Sequence, residues 1–512
     1  MTPLDLIVIG GGISGAGVAR LAARNGFSVA LLEQGDLASG TSSATSHMLH
    51  GGLRYLEHAR FLLVRRSLAE RAVVSRMAPA LVRPTRFLVP LYAGGRVGPT
   101  RLRAGLMVYA WLASRKGLAP HAWLRPNETL ALEPDLEPRG LLGAGAYSDT
   151  VMDDARLCVA VARDAAAHGA AIHTYTEVVG ARPAPGPAAT GAPADLEGGA
   201  IEVIVRDVLD GGERSFSARA VVNATGPWAD GVRRLLWRAL KPGSPEPEPA
   251  LRPSRGIHLV YPALTRGHAL LLFSGRDGRV LFTVPFGERT LVGTTEIEVP
   301  AMPQRESFRP SLEEVRYLRG EVERSLPGLK GAAPLGVMSG VRPLVRSEHD
   351  VNRASREHRL IEDGPVLTLV GGKYTTFRPM AREALERLAP RLGRIERPIE
   401  DSDALLPRPL EPLSGPAALA EFAVREEFAR RLEDVVRRRT RLWLELDRGR
   451  GATGEIVPVM TRLLGWSPER AREEVHHFEA ALWEEESLLE RARGERAERE
   501  GLSVLERGGS VR

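Results

Sequence analysis

Apolar residues fall in short runs near the start of the chain and take helical spacing near its end. Residues 4–10 read as a buried parallel strand, because the run is short, nearly all apolar and closed by glycine. A glycine turn follows, then a helix through about Asn25, then a second strand, SVALLE, at 28–33. This is the opening of a βαβ unit with a tight crossover. Residues 41–58 lose the apolar period and fill with hydroxyls and glycine, which argues for a loop that carries chemistry. Strand-like stretches at 201–208, 257–261, 280–285 and 290–294 predict an antiparallel sheet in the middle of the chain. From about 400 the pattern becomes helical, and Ser467-Pro468-Glu469 has the residue types of an N-cap and first turn. A separate helical domain is therefore expected over 400–485, followed by a charged, frayed tail at 486–512. The segments 181–199 and 241–250 are Pro-rich and aperiodic, and the first reads as a flexible surface insertion. There is no obvious internal repeat.

One helix stands out. LRAGLMVYAWLASRKG, at 102–117, is apolar nearly all round, with Arg101 and Arg103 before its centre and Arg115 and Lys116 after it. It reads equally as a buried helix or as a monotopic membrane contact. No apolar run approaches the ~20 residues that span a bilayer. The opening LIVIGGG lacks a basic leader and breaks into glycine too early for a signal peptide.

Length and charge narrow the classes. A chain of 512 residues calls for two or three domains. Net charge is +6, carried almost wholly by arginine, since lysine occurs only at 116, 241, 330 and 373. An arginine-rich genome would explain this, and so would attraction to anionic substrates or to an anionic membrane. No nucleic-acid motif is present, so nucleic acid is not an expected partner. Cys158, the single cysteine, lies in a helix-like run and reads as a small buried thiol, which excludes an intramolecular disulfide.

The chemistry begins at Gly10, Gly12 and Gly15, a G-x-G-x-x-G turn directly after the first strand. The first glycine permits the turn, the second lets backbone approach a pyrophosphate, and the third lets helix and strand pack. Glu33 ends the next strand, where it can accept from ribose hydroxyls. The turn alone does not choose between NAD and FAD. The loop LASGTSSATSHMLHGGLRYLE at 37–57 favours the longer cofactor, because small hydroxyls and glycines obstruct it little. Two further strand-end glycine turns follow, VVNATGPW at 221–228 and LVGGKYTTFRPMA at 369–381. The second opens a helix, whose N-terminus suits an electron-rich flavin pyrimidine. No metal site is expected.

The chain resembles the FAD-dependent glycerol-3-phosphate dehydrogenases. The matching segments are DLIVIGGGISGAG, GTSSATSHMLHGGLRYLE, DDARL at 153–157, VNATGPW, GRVLFTVPFGERTLVGTTE at 278–296, SGVRPLV at 339–345, SREH at 355–358 and GGKYTTFR, with LEDVVRRRTRL at 432–442 like the family's C-terminal helical domain. The resemblance implies an α/β fold in which a Rossmann-type FAD-binding domain carries an antiparallel-sheet substrate domain, as in amino-acid oxidases, plus a C-terminal helical domain. On that plan the FAD-binding domain would comprise 1–85, 145–235 and 335–390, and the substrate domain 86–144 and 236–334. It implies hydride transfer from C2 of glycerol 3-phosphate to flavin, with a quinone as the usual acceptor. By position, Arg54, Tyr55, Arg342 and Lys373 would surround the substrate, with His50 near the reacting hydroxyl. Gly10, Gly12, Gly15, Glu33, Thr41, Ser42, Ser43, Ala224, Gly226, Gly372, Thr375 and Thr376 would line FAD.

The residue types agree with that assignment. A phosphate dianion wants fixed cations, and the arginine fork suits it. Arg54 and Arg342 lie in apolar or glycine-rich stretches, unlike the arginines of 436–441, which read as solvated. Lys373 follows two glycines at a strand end; a surface lysine is the alternative reading. His50 is suited to take an alcohol proton, or is one more structural histidine among twelve. The chain departs from the family at His47 (commonly lysine), Glu296 (commonly aspartate) and Leu21 (commonly acidic). An oxidase using oxygen, an amine or amino-acid oxidase, and a non-catalytic flavoprotein remain as rival readings. The expected location is the cytoplasm or the inner face of the cell membrane, and a homodimer stays open.

Overall fold

The computed structural model describes residues 3–113, 118–184, 200–346, 358–393, 405–409 and 415–508. Among them the strands form two sheets, of eight and ten strands. The first has the order His358–Asp363, Val366–Gly371, Glu213–Asn223, Leu4–Ile9, Val29–Leu32 and Ala171–His173. Its central strands run parallel, with Leu6 beside Val29 and Val8 beside Val222. Leu6, Ile7 and Val8 are fully buried, which is why this strand reads as continuously apolar rather than alternating. The helix Ile13–Arg24 covers one face, packed against Asp154–Ala167 and Phe377–Leu392.

The second sheet contains the stretches expected at 257–261, 280–285 and 290–294, as Ser254–Pro262, Val280–Phe286 and Arg289–Gly293. The stretch at 201–208 does not join it. Ile201–Asp207 pairs antiparallel with Glu213–Asn223 and extends the first sheet. The limits expected at 85, 145 and 335 also shift. Met48–Leu49, Val82–Tyr92, Leu141–Met152 and Gly336–Arg342 all belong to the second sheet. Strands chosen by their apolar run do not announce which sheet they join, since pairing is a long-range property.

Three helices, Pro416–Glu427, Thr453–Leu464 and Pro468–Gly508, build the C-terminal unit around Ala420, Leu432, Val435, Ile456, Met460, Phe478 and Leu482. Ser467 caps the last of them, its hydroxyl accepting from the Arg470 amide at 3.1 Å. That helix does not end at 485. Leu488, Leu489 and Ala492 pack into the substrate-sheet core with Leu259 and Leu318, and Glu486 pairs with Arg450, so the expected charged tail begins beyond Ala492. Its apolar residues are sparse among charges, which hid them. The insertion at 181–199 lies outside the described residues from 185 onward, as do Arg115, Lys116, residues 355–357 and residues 509–512.

The stretch 102–117 is a helix from Pro99 to Leu112, and it divides its faces. Leu102, Leu106, Tyr109 and Leu112 are buried, whereas Met107 and Trp111 are 62% and 73% exposed. Neighbouring Phe61 and Leu62, which open the helix Phe61–Met77, are exposed as well. Among the described residues no helix is long and apolar enough to cross a membrane.

Candidate active site

A cavity of about 460 Å³ opens at the strand ends of the first sheet. Its walls carry Gly10, Gly12, Glu33, Thr41, Ser42, Ala224, Gly226 and Gly372, eight of the residues expected around the cofactor, together with Lys373. Gly10 has φ +109°, and a Cβ there would stand 2.6 Å from the Ala224 carbonyl, so the two strand ends meet with no room for a side chain. Gly15 lies inside the helix against the Gly10 carbonyl and serves packing rather than lining. Ser43, Thr375 and Thr376, also expected around the cofactor, are not among the residues of its walls. The Thr376 hydroxyl donates to the Lys373 carbonyl at 3.2 Å and shapes the turn that carries it.

The donor set fits a dinucleotide. The helix Ile13–Arg24 starts at Gly12, which has no side chain to cap it, and carries no acidic residue in its first turn, as an approaching pyrophosphate needs. Ser42 Oγ accepts from the Ile13 amide at 3.0 Å and ties the following loop to the helix start. Glu33 accepts from the Gly11 amide at 2.6 Å and the Gly35 amide at 2.8 Å. Burial raises its pKa, and the two amides oppose that rise.

A second set of groups gathers where the two sheets meet. Lys373, on the turn after Val366–Gly371, holds its ammonium 3.6 Å from the centroid of the Tyr55 ring. Arg342 ends Gly336–Arg342, and its Nη2 donates to Thr294 Oγ1 at 2.6 Å and to the Thr295 carbonyl at 3.3 Å. Its guanidinium lies across Gly256, where a Cβ would come within 2.2 Å of it. The next residue, Pro343, lines the cofactor cavity beside Lys373. Arg54 borders a separate cavity of about 230 Å³ with Arg101, Glu57 and apolar residues of the second sheet.

Sequence reasoning missed His258. It lies in the centre of Ser254–Pro262, where a lone histidine reads as a strand residue, and no local signal marks it. Its Nε2 is 2.8 Å from Ser46 Oγ, and its Nδ1 is buried with no hydrogen-bond partner among the described residues. Burial, Arg342 and His47 hold its pKa down to about 3, so the ring is neutral at pH 7. His47 is itself buried, with Nδ1 3.2 Å from the Met152 carbonyl and 3.5 Å from Asp154. Leu21, the third departure noted above, packs into the core of the first domain.

The segment carrying His50 is held from behind. Leu49 pairs with Thr150, whose hydroxyl donates to the Leu49 carbonyl at 2.5 Å. The Gly51 amide donates to the Tyr109 hydroxyl at 3.0 Å, and that hydroxyl donates to Asp149 at 2.5 Å. Arg71 completes the buried group, 3.1 Å from Asp149. Burial raises the pKa of Asp149, and Arg71 and Tyr109 counter it.

Comparison with known proteins accords with this geometry. The family model for FAD dependent oxidoreductases matches residues 5–398, and that for the C-terminal domain of alpha-glycerophosphate oxidase matches 399–471. FAD is therefore the cofactor. A glycerol-3-phosphate dehydrogenase of Pseudomonas aeruginosa is 38% identical over 75% of this chain and 72% of its own. The aerobic glycerol-3-phosphate dehydrogenase of Escherichia coli is 37% identical over 76% of this chain and 74% of its own. Among solved structures, the FAD-complexed glycerol-3-phosphate dehydrogenase of Bacillus halodurans superposes with a TM-score of 0.72 at 23% identity, covering 94% of this chain and 95% of that one. That likeness bears out the fold expected from the sequence.

Proposed function

This chain belongs to the FAD-dependent glycerol-3-phosphate dehydrogenase family, and we propose that it oxidises sn-glycerol 3-phosphate to dihydroxyacetone phosphate and passes the electrons to a quinone. The observation that carries the reading is the placement of Lys373 on the turn that lines the FAD cavity, against Tyr55 and close in sequence to no other lysine. A cation there can meet a phosphate dianion at the cofactor's edge. Bound FAD supplies the hydride acceptor. Arg342, steadied by Thr294 and Thr295, and Lys373 bind the phosphate, with Arg54 as a further cation. His50 takes the C2 hydroxyl proton as the C2 hydride leaves, so the alcohol loses two electrons and two hydrogens and becomes a ketone. His258, neutral and hydrogen-bonded to Ser46, braces the loop that leads to His50 rather than taking a proton.

The quinone part draws support from the exposed apolar residues Phe61, Leu62, Met107 and Trp111 on two neighbouring helices, a surface suited to resting on a bilayer that holds the acceptor. A peripheral location on the inner face of the cell membrane follows. The second reading, an oxygen-using oxidase, is favoured by the C-terminal match to an oxidase domain. Anaerobic mixing with glycerol 3-phosphate tests the substrate, since the flavin absorbance should bleach. Stopped-flow reoxidation with quinone and with oxygen then separates the acceptors. Bleaching by an amino acid, and none by glycerol 3-phosphate, would overturn the substrate.

A further inference from the structure

Of the arginines at 436–441, Arg438 and Arg439 are buried and not solvated, whereas Arg441 is exposed as the sequence suggested. Asp434–Arg439 forms a π-helical turn, and its wide winding aims two successive arginines at one carboxylate across the domain boundary. Arg438 Nε donates to Asp36 at 2.5 Å, and Arg439 donates to both Asp36 oxygens, at 2.7 and 2.5 Å. Asp36 is fully enclosed, and the Arg439 side chain is 1% exposed. Burial alone would raise the pKa of Asp36; Arg439 and Arg438 outweigh it and hold the group below its usual range.

Asp36 sits behind the cofactor cavity, not in it. The residues on either side of it, Glu33 and Gln34 before and Ser39, Gly40 and Thr41 after, line the cavity. The same short loop reaches the glycine turn, where the Ala38 amide donates to the Gly11 carbonyl at 3.0 Å. A second tie runs through Tyr175, whose amide donates to the Gly35 carbonyl at 2.9 Å and whose hydroxyl donates to Asp434 at 2.7 Å. We propose that Arg438 and Arg439 are positioning residues for FAD: by gripping Asp36, the C-terminal helical unit fixes the 33–41 loop and sets how tightly the adenosine end of the cofactor is held. A bidentate arginine fork on a buried carboxylate fixes distance and direction together, which an ordinary packing contact does not.

The molecule supplies its own control. Arg156 makes a buried bidentate pair with the Glu427 carboxylate, at 2.6 and 2.7 Å, across the same domain boundary. Arg439 meets Glu427 only at its backbone carbonyl, at 3.0 and 2.7 Å, so Arg156→Gln removes an ion pair while leaving the Asp36 fork and that carbonyl in place. In the full-length protein, Arg439→Gln should raise the FAD dissociation constant, read by flavin fluorescence on titrating apoprotein, at least tenfold. Arg156→Gln should lower the melting temperature while shifting FAD affinity less than twofold. Equal effects of the two variants on FAD affinity would overturn the proposal, and so would an Arg439→Gln protein that melts early yet binds FAD as the wild type does. Should Arg439→Gln not fold, wild-type hydrogen exchange decides. Coupling between sites is reciprocal, so FAD added to wild-type apoprotein must slow exchange across 434–439. Protection confined to cavity-lining segments rejects the coupling.

Discussion

The ammonium of Lys373 faces the ring of Tyr55 at 3.6 Å from its centroid, so a residue just past a strand end of the first sheet meets one from the loop expected to carry catalysis. The contact is of the cation–π kind, worth ~1 kcal/mol when partly desolvated. Tyr55→Phe keeps the ring and should change KM for glycerol 3-phosphate less than threefold. Tyr55→Leu should raise it about fivefold, the equivalent of that ~1 kcal/mol. Lys373→Met removes the cation itself and should cost about 2–4 kcal/mol, or roughly 30- to 1,000-fold in KM. Dye-linked steady-state kinetics measure all three. An unchanged KM in Lys373→Met takes the lysine out of phosphate binding.

Arg342 and Arg54 should not weigh alike. Arg342 is braced by Thr294 and Thr295 near the cofactor cavity, whereas Arg54 borders another cavity. Both alanine variants should raise KM, Arg342→Ala by the same 30- to 1,000-fold (about 2–4 kcal/mol) and Arg54→Ala by less. Glycerol itself should be a negligible substrate of the wild type. Comparable turnover of glycerol and glycerol 3-phosphate would falsify the phosphate assignment.

The two histidines divide in kind. His50→Asn should slow flavin reduction by about 10²–10⁴, the usual worth of a placed base. His258→Asn retains hydrogen-bonding capacity and should slow it far less. Rapid anaerobic mixing reads both rates, and the reverse ranking would transfer the proton to His258.

His258 also gives the stability a pH dependence. Its folded pKa, about 3, lies below the ordinary 6.5, so the unfolded chain binds the extra proton. The stabilisation is present above pH 6.5 and drains away as pH falls toward 3. In that window one proton taken up on unfolding amounts to about 1.4 kcal/mol per pH unit. Denaturant midpoints measured from pH 7 to pH 4.5 should fall more steeply in wild type than in His258→Asn. Parallel slopes would mean that the ring titrates normally.

For the membrane surface, the exposure of side chains selects the variant. Leu112 is buried and its replacement would disturb the core, whereas Trp111 and Met107 face outward. Trp111→Ser with Met107→Ser should leave dye-linked activity within twofold and reduce sedimentation with anionic vesicles. Wild type should bind them at low salt and be partly released at high salt, since each surface cation near anionic lipid contributes about 1 kcal/mol. A wild type that ignores such vesicles would favour the oxygen-using reading.

Much of the cofactor side was legible in the sequence, because it is local. Gly10, Gly12 and Glu33 lie within one βαβ unit, and a glycine turn between strand and helix has few other uses. The position of Lys373 on the same cavity wall was legible because its turn repeats that logic at another strand end. What escaped depends on distant pairing. His258 looks like any strand residue until Ser46 and Arg342 come beside it. Arg438 and Arg439 look like a solvated run until Asp36, far away in sequence, closes on them. Charge pattern says whether a residue is ionic, and only the fold says whether its partner excludes water.

Thr41 Oγ1 donates to the Val341 carbonyl at 2.5 Å, and Gly340 lies against Ala44, where a Cβ would come within 2.8 Å. The cofactor loop is thereby stapled to the strand that delivers Arg342. A hinge between the two sheets would have to break that staple before it could admit anything. Redesign of this scaffold for another phosphorylated alcohol is therefore constrained: displacing the strand to resize the pocket would drag the flavin's cradle with it, so new selectivity has to come from exchanged side chains on a fixed frame.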